Sequence, residues 1–238
     1  MKSVLLISVF LVTLAIQSQD IHKHKPWNDL LQAFVNDDGL VNYAAFKSKE
    51  AELDQYLSRL NKQYQPTQFT EAQKKAYLIN AYNAYTVKLI LKHYPVKSIK
   101  AIGGFLESPF KLKFVKLGGK TYNLDQIEKE MLLEMGDARV HFAINCASFS
   151  CPALSNKAYI ADQLNLQLEL ASRKFINSDK NSIKQNQLKL SKIFKWYSSD
   201  FEAYSGSVKQ FIQNYYTGRI SSDIDIEYMD YSWKLNKQ

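Results

Sequence analysis

Residues 70–95 read TEAQKKAYLINAYNAYTVKLILKHYP, and this stretch decides the fold because it predicts a single long helix. Thr70 stands where a helix N-cap is expected, and Pro95 lies just beyond the end of the helical pattern. Asn80 and Asn83 lie three residues apart on one face of this mostly apolar helix. They are candidates either for a functional site or for holding neighbouring loops in place.

The segments on either side of this helix alternate between helical and extended patterns. Apolar residues at helical spacing predict further helices at residues 27–35, 47–60, 124–135, 159–177 and 207–216. Extended patterns predict a β-hairpin at 110–122, with Gly118-Gly119 as its turn, and strands at 140–145, 187–191 and 223–228. In the hairpin, alternation predicts one face made by Phe110, Leu112 and Phe114 and the other by Lys111, Lys113 and Val115.

This order of elements lacks the repeated strand–helix–strand rhythm of a parallel sheet. It predicts an α+β protein in which helices pack on a mainly antiparallel sheet. No segment is rich enough in Pro, Gly or Ser to act as a linker, so we expect one domain over residues 19–238, with a helical N-terminal part.

The N-terminus has the pattern of a secretory signal peptide. A lysine precedes an apolar run from Val4 to Ile16, and the small residue Ser18 follows it. The run is short for a membrane span, which needs about 20 residues. We therefore expect residues 1–18 to be removed, and the mature protein to be secreted or periplasmic, with no membrane span.

The net charge of +8 is spread along the chain as single lysines. Such a pattern is typical of a solvated basic surface, and it also suits attraction to an anionic polymer outside the cytoplasm. No nucleic-acid-binding motif is recognisable, and we expect no cofactor. An exported peptide or an anionic polymer remains the predicted class of partner.

Both cysteines lie in one segment, RVHFAINCASFSCPAL at 139–154, together with one of the four histidines. If 140–145 is a strand, Cys146 stands at a sheet edge, where backbone N–H groups could point outward as an oxyanion site. Cys146 is then a candidate nucleophile, with His141 as its base. Side chains alternate along a strand, so His141 reaches Cys146 only if the chain bends near Asn145. His93 is the alternative base.

Two other interpretations of the segment stay open. His141, Cys146 and Cys151 offer three zinc ligands, although their spacing differs from the usual C-x2-C knuckle. Cys146 and Cys151 could also form a disulfide, as expected in an oxidising compartment. Closing so small a loop would stabilise the folded protein little through chain entropy. A reversible redox disulfide is therefore a better explanation of the pair than a structural disulfide.

Several motifs resemble the family known as domain of unknown function 547. They are AYLINAYNAYTVKLIL (76–91), FKLKFVKLGGKTYNLDQIE (110–128), RVHFAINCASFSCPAL (139–154), LSKIFKWYSSDF (190–201) and YMDYSWKLN (228–236). The resemblance implies that these family motif positions are held by Asn80, Asn83, Asp125, Glu128, Arg139, His141, Cys146 and Cys151. The family commonly has a histidine where this chain has Lys129. The resemblance implies no reaction, because the family's activity is unassigned.

The leading hypothesis is a cysteine-dependent hydrolase or acyl transferase acting on amide bonds. Its predicted catalytic residues are Cys146, His141, Glu128 and Asn83, and its predicted substrate-binding residues are Arg139 and Asn80. A long polar-marked helix beside an antiparallel sheet also suggests papain-like or transglutaminase-like hydrolases, by analogy alone. The alternatives are a thiol–disulfide redox protein and a non-catalytic binding module sealed by a Cys146–Cys151 disulfide.

Overall fold

The structure is a computed structural model that describes residues 20–104, 107–184, 187–221 and 223–238. The predicted signal peptide, residues 1–18, lies outside the described residues. The α-helices are α1 (Lys25–Phe34), α2 (Tyr43–Phe46), α3 (Glu50–Gln63), α4 (Glu71–His93), α5 (Leu164–Ile176), α6 (Ile193–Trp196), α7 (Ser198–Ser205) and α8 (Val208–Tyr215). The strands are β1 (Val115–Leu117), β2 (Lys120–Tyr122), β3 (Ser182–Lys184), β4 (Gln187–Leu190) and β5 (Ile226–Tyr228).

The strands form two small sheets, which confirms the α+β class. One sheet is the antiparallel hairpin β1–β2, with the predicted turn at Gly118 and Gly119. In the other, β3 pairs antiparallel with β4, and β4 pairs parallel with β5. The second sheet is therefore mixed. The chain passes through the helices α6, α7 and α8 between β4 and β5, and this long connection allows β5 to pair parallel with β4.

Helix α4 is the buried axis of the first hydrophobic cluster, which also takes in α1, α3 and the hairpin. The predicted cap is confirmed: the Thr70 hydroxyl accepts from the Gln73 N–H, and the Gln73 side chain accepts from the Thr70 N–H. This capping box satisfies two N–H groups that the first helical turn leaves without partners. A second cluster joins α5–α8 to the mixed sheet.

The predicted strand at 140–145 is wrong. Residues Ala138–Phe142 form a 3-10 helix, started by the Asp137 side chain, which accepts from the Arg139 N–H. Val140 packs in the first cluster and Phe142 in the second, so the segment is buried on both sides. A short run that is apolar all round does not distinguish a buried strand from a buried helical turn.

Two further predictions need correction in detail. In the hairpin, Val115 and Leu117 face the core and Lys116 is exposed, so the predicted division of faces is wrong for Val115. The predicted helix 124–135 exists, but it runs as a π-helix over Gln126–Leu132 and ends in a 3-10 turn. Among the described residues, no helix is long and apolar enough to cross a membrane.

Candidate functional site

The two cysteine thiols lie together and unbonded in the loop after the 3-10 helix. The Cys146 and Cys151 sulfurs are 2.8 Å apart, and the Cys146 N–H donates to the Cys151 sulfur at 3.0 Å. The Cys146 sulfur also lies 3.1 Å from the Ser148 hydroxyl and 3.4 Å from the Tyr231 hydroxyl. Three side-chain groups therefore surround the half-buried sulfur of Cys146 within hydrogen-bond distance.

This environment separates the acidities of the two thiols. Burial raises the pKa of Cys146, but hydrogen bonds from Cys151, Ser148 and Tyr231 outweigh it and lower that pKa to about 7. Burial and the neighbouring Cys146 thiolate hold the pKa of Cys151 well above its ordinary value. Near neutral pH, Cys146 is thus the thiolate of the pair and Cys151 its hydrogen-bond donor.

The backbone around Cys146 is tightly held. Ala147 has φ +57°, a left-handed conformation that is strained for a residue with a Cβ, and its N–H donates to the Asn145 side chain at 2.8 Å. The N–H groups of Cys146 and Ala147 are therefore already engaged. These two N–H groups are thus not free for an oxyanion, and the oxyanion site itself stays a prediction.

Cys146 opens into a cleft of about 420 Å³, which we call the thiol cleft. Its lining includes Tyr82, Glu128, His141, Trp196 and Tyr231. A larger cavity of about 510 Å³ is also lined by Cys151, but neither Cys146 nor His141 lines it. We take the thiol cleft as the candidate site because it brings the activated thiol and a histidine to one space.

His141 lines the thiol cleft with its imidazole held in place by an aspartate. Its Nε2 lies 2.8 Å from an Asp200 carboxylate oxygen, and its ring packs on Tyr197 at 4.1 Å between centroids. A carboxylate accepts from Nε2–H, which leaves Nδ1 of the neutral ring as a proton acceptor. No hydrogen bond joins His141 to Cys146 among the described residues, and the alternative base, His93, is exposed and outside the lining.

Glu128 lies in the same cleft, but it is not the hydrogen-bond partner of His141. Its carboxylate accepts from the Tyr197 hydroxyl at 2.6 Å, and the residue is 6% exposed. Burial and the nearby Glu128 charge raise the pKa of Tyr197, so the hydroxyl stays protonated as a donor. The orienting partner that sequence reasoning sought in Glu128 or Asn83 is Asp200, and a link of Glu128 to His141 runs only through Tyr197.

The two helix asparagines hold backbone rather than line the cleft. Asn83 donates to the Ala143 carbonyl at 2.9 Å and accepts from the Asn145 N–H at 2.8 Å, which ties the cysteine loop to α4. Asn80 does the same for Tyr159, through bonds of 2.7 and 3.0 Å. The structure does not bring either asparagine to His141 or into the thiol cleft.

Arg139 also lies outside the thiol cleft. Its guanidinium binds both carboxylate oxygens of Asp137 at 2.9 Å and donates to Asn165 at 2.7 Å. Lys75 adds a third cationic contact to Asp137, at 3.1 Å. Arg139 does not pair with Asp125 or Glu128 in this arrangement, and it does not face the cleft to which a substrate would bind.

Several residues that surround Cys146 and His141 were not predicted from the sequence to belong to the site. Asp200, Ser148 and Tyr231 complete the surroundings of His141 and Cys146, and Trp196 is 48% exposed beside them. Asp200, Trp196 and Tyr231 fall within the later family-like blocks, which was the only sequence signal for them. Among the described residues, no group of three His, Cys, Asp or Glu side chains is arranged to hold a metal ion.

These features define an α+β protein with a paired-thiol site on a loop anchored to its central helix. Residues 66–176 match the family described as "Protein of unknown function, DUF547". The match confirms the predicted resemblance for the motifs at 76–91, 110–128 and 139–154, which include both cysteines and His141, while the motifs at 190–201 and 228–236 lie outside it. Comparisons with curated proteins and with solved structures gave no match.

Proposed function

We propose that the protein is a cysteine-dependent acyl-transfer enzyme, a hydrolase or transferase of amide bonds, with Cys146 as nucleophile. The observation that carries the proposal is the juxtaposition in one cleft of a thiol with a lowered pKa and a histidine paired with Asp200. A thiolate for attack and an oriented base for proton transfer are what covalent acyl transfer requires.

In the proposed reaction, the Cys146 thiolate attacks the carbonyl carbon and forms an S–C bond. The thiol proton, held by His141, passes to the leaving nitrogen as the C–N bond breaks, and the amine departs. Water or a second amine then attacks the thioester, gives its proton to His141, and releases Cys146. Substrate binding would have to bring His141 and Cys146 within hydrogen-bond distance, since catalytic hydrogen bonds are often long in the free enzyme and form fully in the complex.

The cellular location and the substrate of the protein are expectations from its sequence. The N-terminal pattern favours export, so the substrate would be a peptide outside the cytoplasm, and the basic surface would suit an anionic polymer nearby. The analogy to papain-like or transglutaminase-like enzymes remains a prediction about the class of chemistry.

Acyl-enzyme formation tests the reaction directly. Protein kept in reductant is mixed with p-nitrophenyl acetate, and acetylation is followed by p-nitrophenolate release and intact mass. We expect one acetyl group per chain, located on Cys146 and absent from Cys146→Ala. Asp200→Asn should slow hydrolysis of the acetyl-enzyme, in which His141 takes the proton of water, by about 100-fold or more, since general acid–base catalysis contributes that much. Acetylation confined to lysines would contradict the proposal.

A second candidate function is thiol–disulfide exchange, which the 2.8 Å approach of the two sulfurs favours. A disulfide between Cys146 and Cys151 would release two electrons and two protons to an oxidant, here a disulfide of a client protein or glutathione. Equilibration in glutathione buffers of graded ratio, followed by alkylation and mass analysis, measures this pair. Reversible two-electron oxidation together with disulfide reduction in a client would favour the redox function over acyl transfer.

A further inference from the structure

Glu128 is a buried carboxylate that has no cationic partner in the part of the chain that the structure describes. Oε1 accepts from the Tyr197 hydroxyl at 2.6 Å, and among the described residues no lysine, arginine or histidine lies within salt-bridge distance of either oxygen. Oε2 has no hydrogen bond in the part of the chain described. A buried carboxylate is costly unless it is paired, so this group has unused capacity to bind a cation.

The other charged residues around the thiol cleft do not neutralise Glu128. Asp125, Glu128 and the Asp200 partner of His141 are acidic, and the cleft-lining Lys129 pairs with Asp125 at 3.3 Å. Because Asp125 is paired with Lys129, Glu128 is the lining carboxylate whose negative charge stays unbalanced, although the whole chain carries a net charge of +8. A local potential of this sign attracts a cationic ligand.

Three neighbouring rings of the cleft lining, those of Trp196, Tyr231 and Trp233, form what we call the aromatic wall. The ring centroids of Trp196 and Tyr231 are 4.8 Å apart, and those of Trp196 and Trp233 are 6.1 Å apart. The Lys100 ammonium lies 4.0 Å from the Trp233 ring centroid, so this wall already holds one ammonium group of the chain itself. Aromatic faces attract cations and also pack against alkyl chains.

We propose that the thiol cleft selects ligands that carry a primary ammonium group on an alkyl chain, with the ammonium bound by Glu128 and the chain packed on the aromatic wall. For the proposed acyl-transfer reaction, this makes the substrate class an amine-bearing amide or an alkylamine acceptor. That this ligand is a substrate rests on the proposed function; its binding does not.

The test measures how well small probes protect Cys146 from iodoacetamide, in reductant and with intact-mass readout. The probes are n-butylammonium and its neutral match, n-butanol. We expect butylammonium to halve the labelling rate at a concentration about 10-fold lower than butanol does, because a charge-assisted hydrogen bond of about 1.5 to 3 kcal/mol corresponds to tenfold or more.

Glu128→Gln keeps the side-chain shape and an oxygen for the Tyr197 hydroxyl, and it should reduce the preference for butylammonium to about 2-fold or less. Glu130→Gln is the matched control: it lies on the same helix, is exposed and is outside the cleft, and it should keep the full preference. If Glu128→Gln fails to fold, Trp196→Leu replaces it, since Trp196 is half-exposed. This variant should weaken protection by butylammonium by about 3-fold.

Equal protection by butylammonium and butanol in the native protein would overturn the proposal. A preference that persists in Glu128→Gln, or is unchanged in Trp196→Leu if that variant is used, would also overturn it, because the cation would then bind elsewhere. The preference for butylammonium without acetylation of Cys146 would leave the binding site standing and remove the proposed reaction. Acetylation of Cys146 without a preference for butylammonium would support the proposed reaction and overturn the proposed ammonium site.

Discussion

The sulfur of Cys151 lies 2.8 Å from the sulfur of Cys146 and accepts the Cys146 backbone N–H at 3.0 Å. The Cys151 side chain thus contacts Cys146 at two points, the Cys146 backbone N–H and the Cys146 sulfur. This relationship makes Cys146 the acidic member of the pair and Cys151 the protonated donor.

Cys151→Ala should raise the pKa of Cys146. The variant removes a hydrogen bond to the thiolate that is worth about 1.5 to 3 kcal/mol, which corresponds to a rise of about one to two pKa units. The pH dependence of iodoacetamide labelling, followed between about pH 5 and pH 9, measures the change. At neutral pH the labelling rate should fall as the thiolate fraction falls.

Cys151→Ser is the matched control for this prediction, because its hydroxyl retains a donor near Cys146. We expect a smaller rise in the Cys146 pKa than in Cys151→Ala. Identical labelling curves for the native protein and Cys151→Ala would show that Cys151 does not set the acidity of Cys146.

Tyr231→Phe should raise the pKa of Cys146 less than Cys151→Ala does. The Tyr231 hydroxyl is 3.4 Å from the Cys146 sulfur, a long contact, so we expect a rise below about one unit. The phenyl ring keeps its packing on Trp196. The same labelling titration measures the change, with Tyr228→Phe, a nearby half-buried tyrosine outside the cleft, as the control. A larger effect than that of Cys151→Ala would reverse the ranking of the two donors.

Asn83→Ala should destabilise the protein. Without the side chain, the buried Ala143 carbonyl and Asn145 N–H lose their partners, at about 1 to 3 kcal/mol each. We expect a loss of about 2 to 4 kcal/mol in the free energy of unfolding, measured by urea denaturation. The exposed Asn214→Ala should cost less than about 0.5 kcal/mol. Full stability with lost reactivity of Cys146 would instead support the catalytic role predicted for Asn83.

His24 should make the protein sensitive to mild acid. Burial lowers the pKa of His24 from 6.5 to about 3, and its Nδ1 lies 2.8 Å from the Tyr56 hydroxyl. His24 of the unfolded chain is therefore protonated below about pH 6.5, whereas His24 of the folded protein is protonated only below about pH 3. Stability should fall as pH falls through this window, by about 2 kcal/mol at pH 5 from this residue alone.

The measurement is the free energy of unfolding in urea at pH 7 and at pH 5. His24→Asn should remove most of the His24 contribution, and asparagine suits the left-handed backbone at this position, where φ is +47°. His93→Gln, an exposed histidine, is the control and should leave the pH dependence unchanged. An unchanged pH dependence in His24→Asn would contradict the assignment.

Local sequence pattern was sufficient for much of the fold. The spacing of apolar residues, the cap at Thr70 and the Gly118-Gly119 turn predicted α4, most of the other long helices and the hairpin, because each depends on interactions between residues near in sequence. The segment that holds both cysteines and His141 was also recognisable from the sequence as the candidate site. Its conformation was not, since a run buried on both sides has no periodicity that separates a strand from a 3-10 turn.

The partners within the site were decided only by the tertiary structure. Asp200 is 59 residues from His141, and Tyr231 is 85 residues from Cys146, so no local spacing relates them. The family motifs already marked Asn80, Asn83 and Arg139. Only the tertiary structure shows that the two asparagines bind backbone groups and that Arg139 binds the Asp137 carboxylate. The sequence by itself determined which segments are helical and that both cysteines and His141 lie in one short segment. The tertiary structure decided which of those side chains meet, because contacts between distant residues depend on how the two hydrophobic clusters pack around α4.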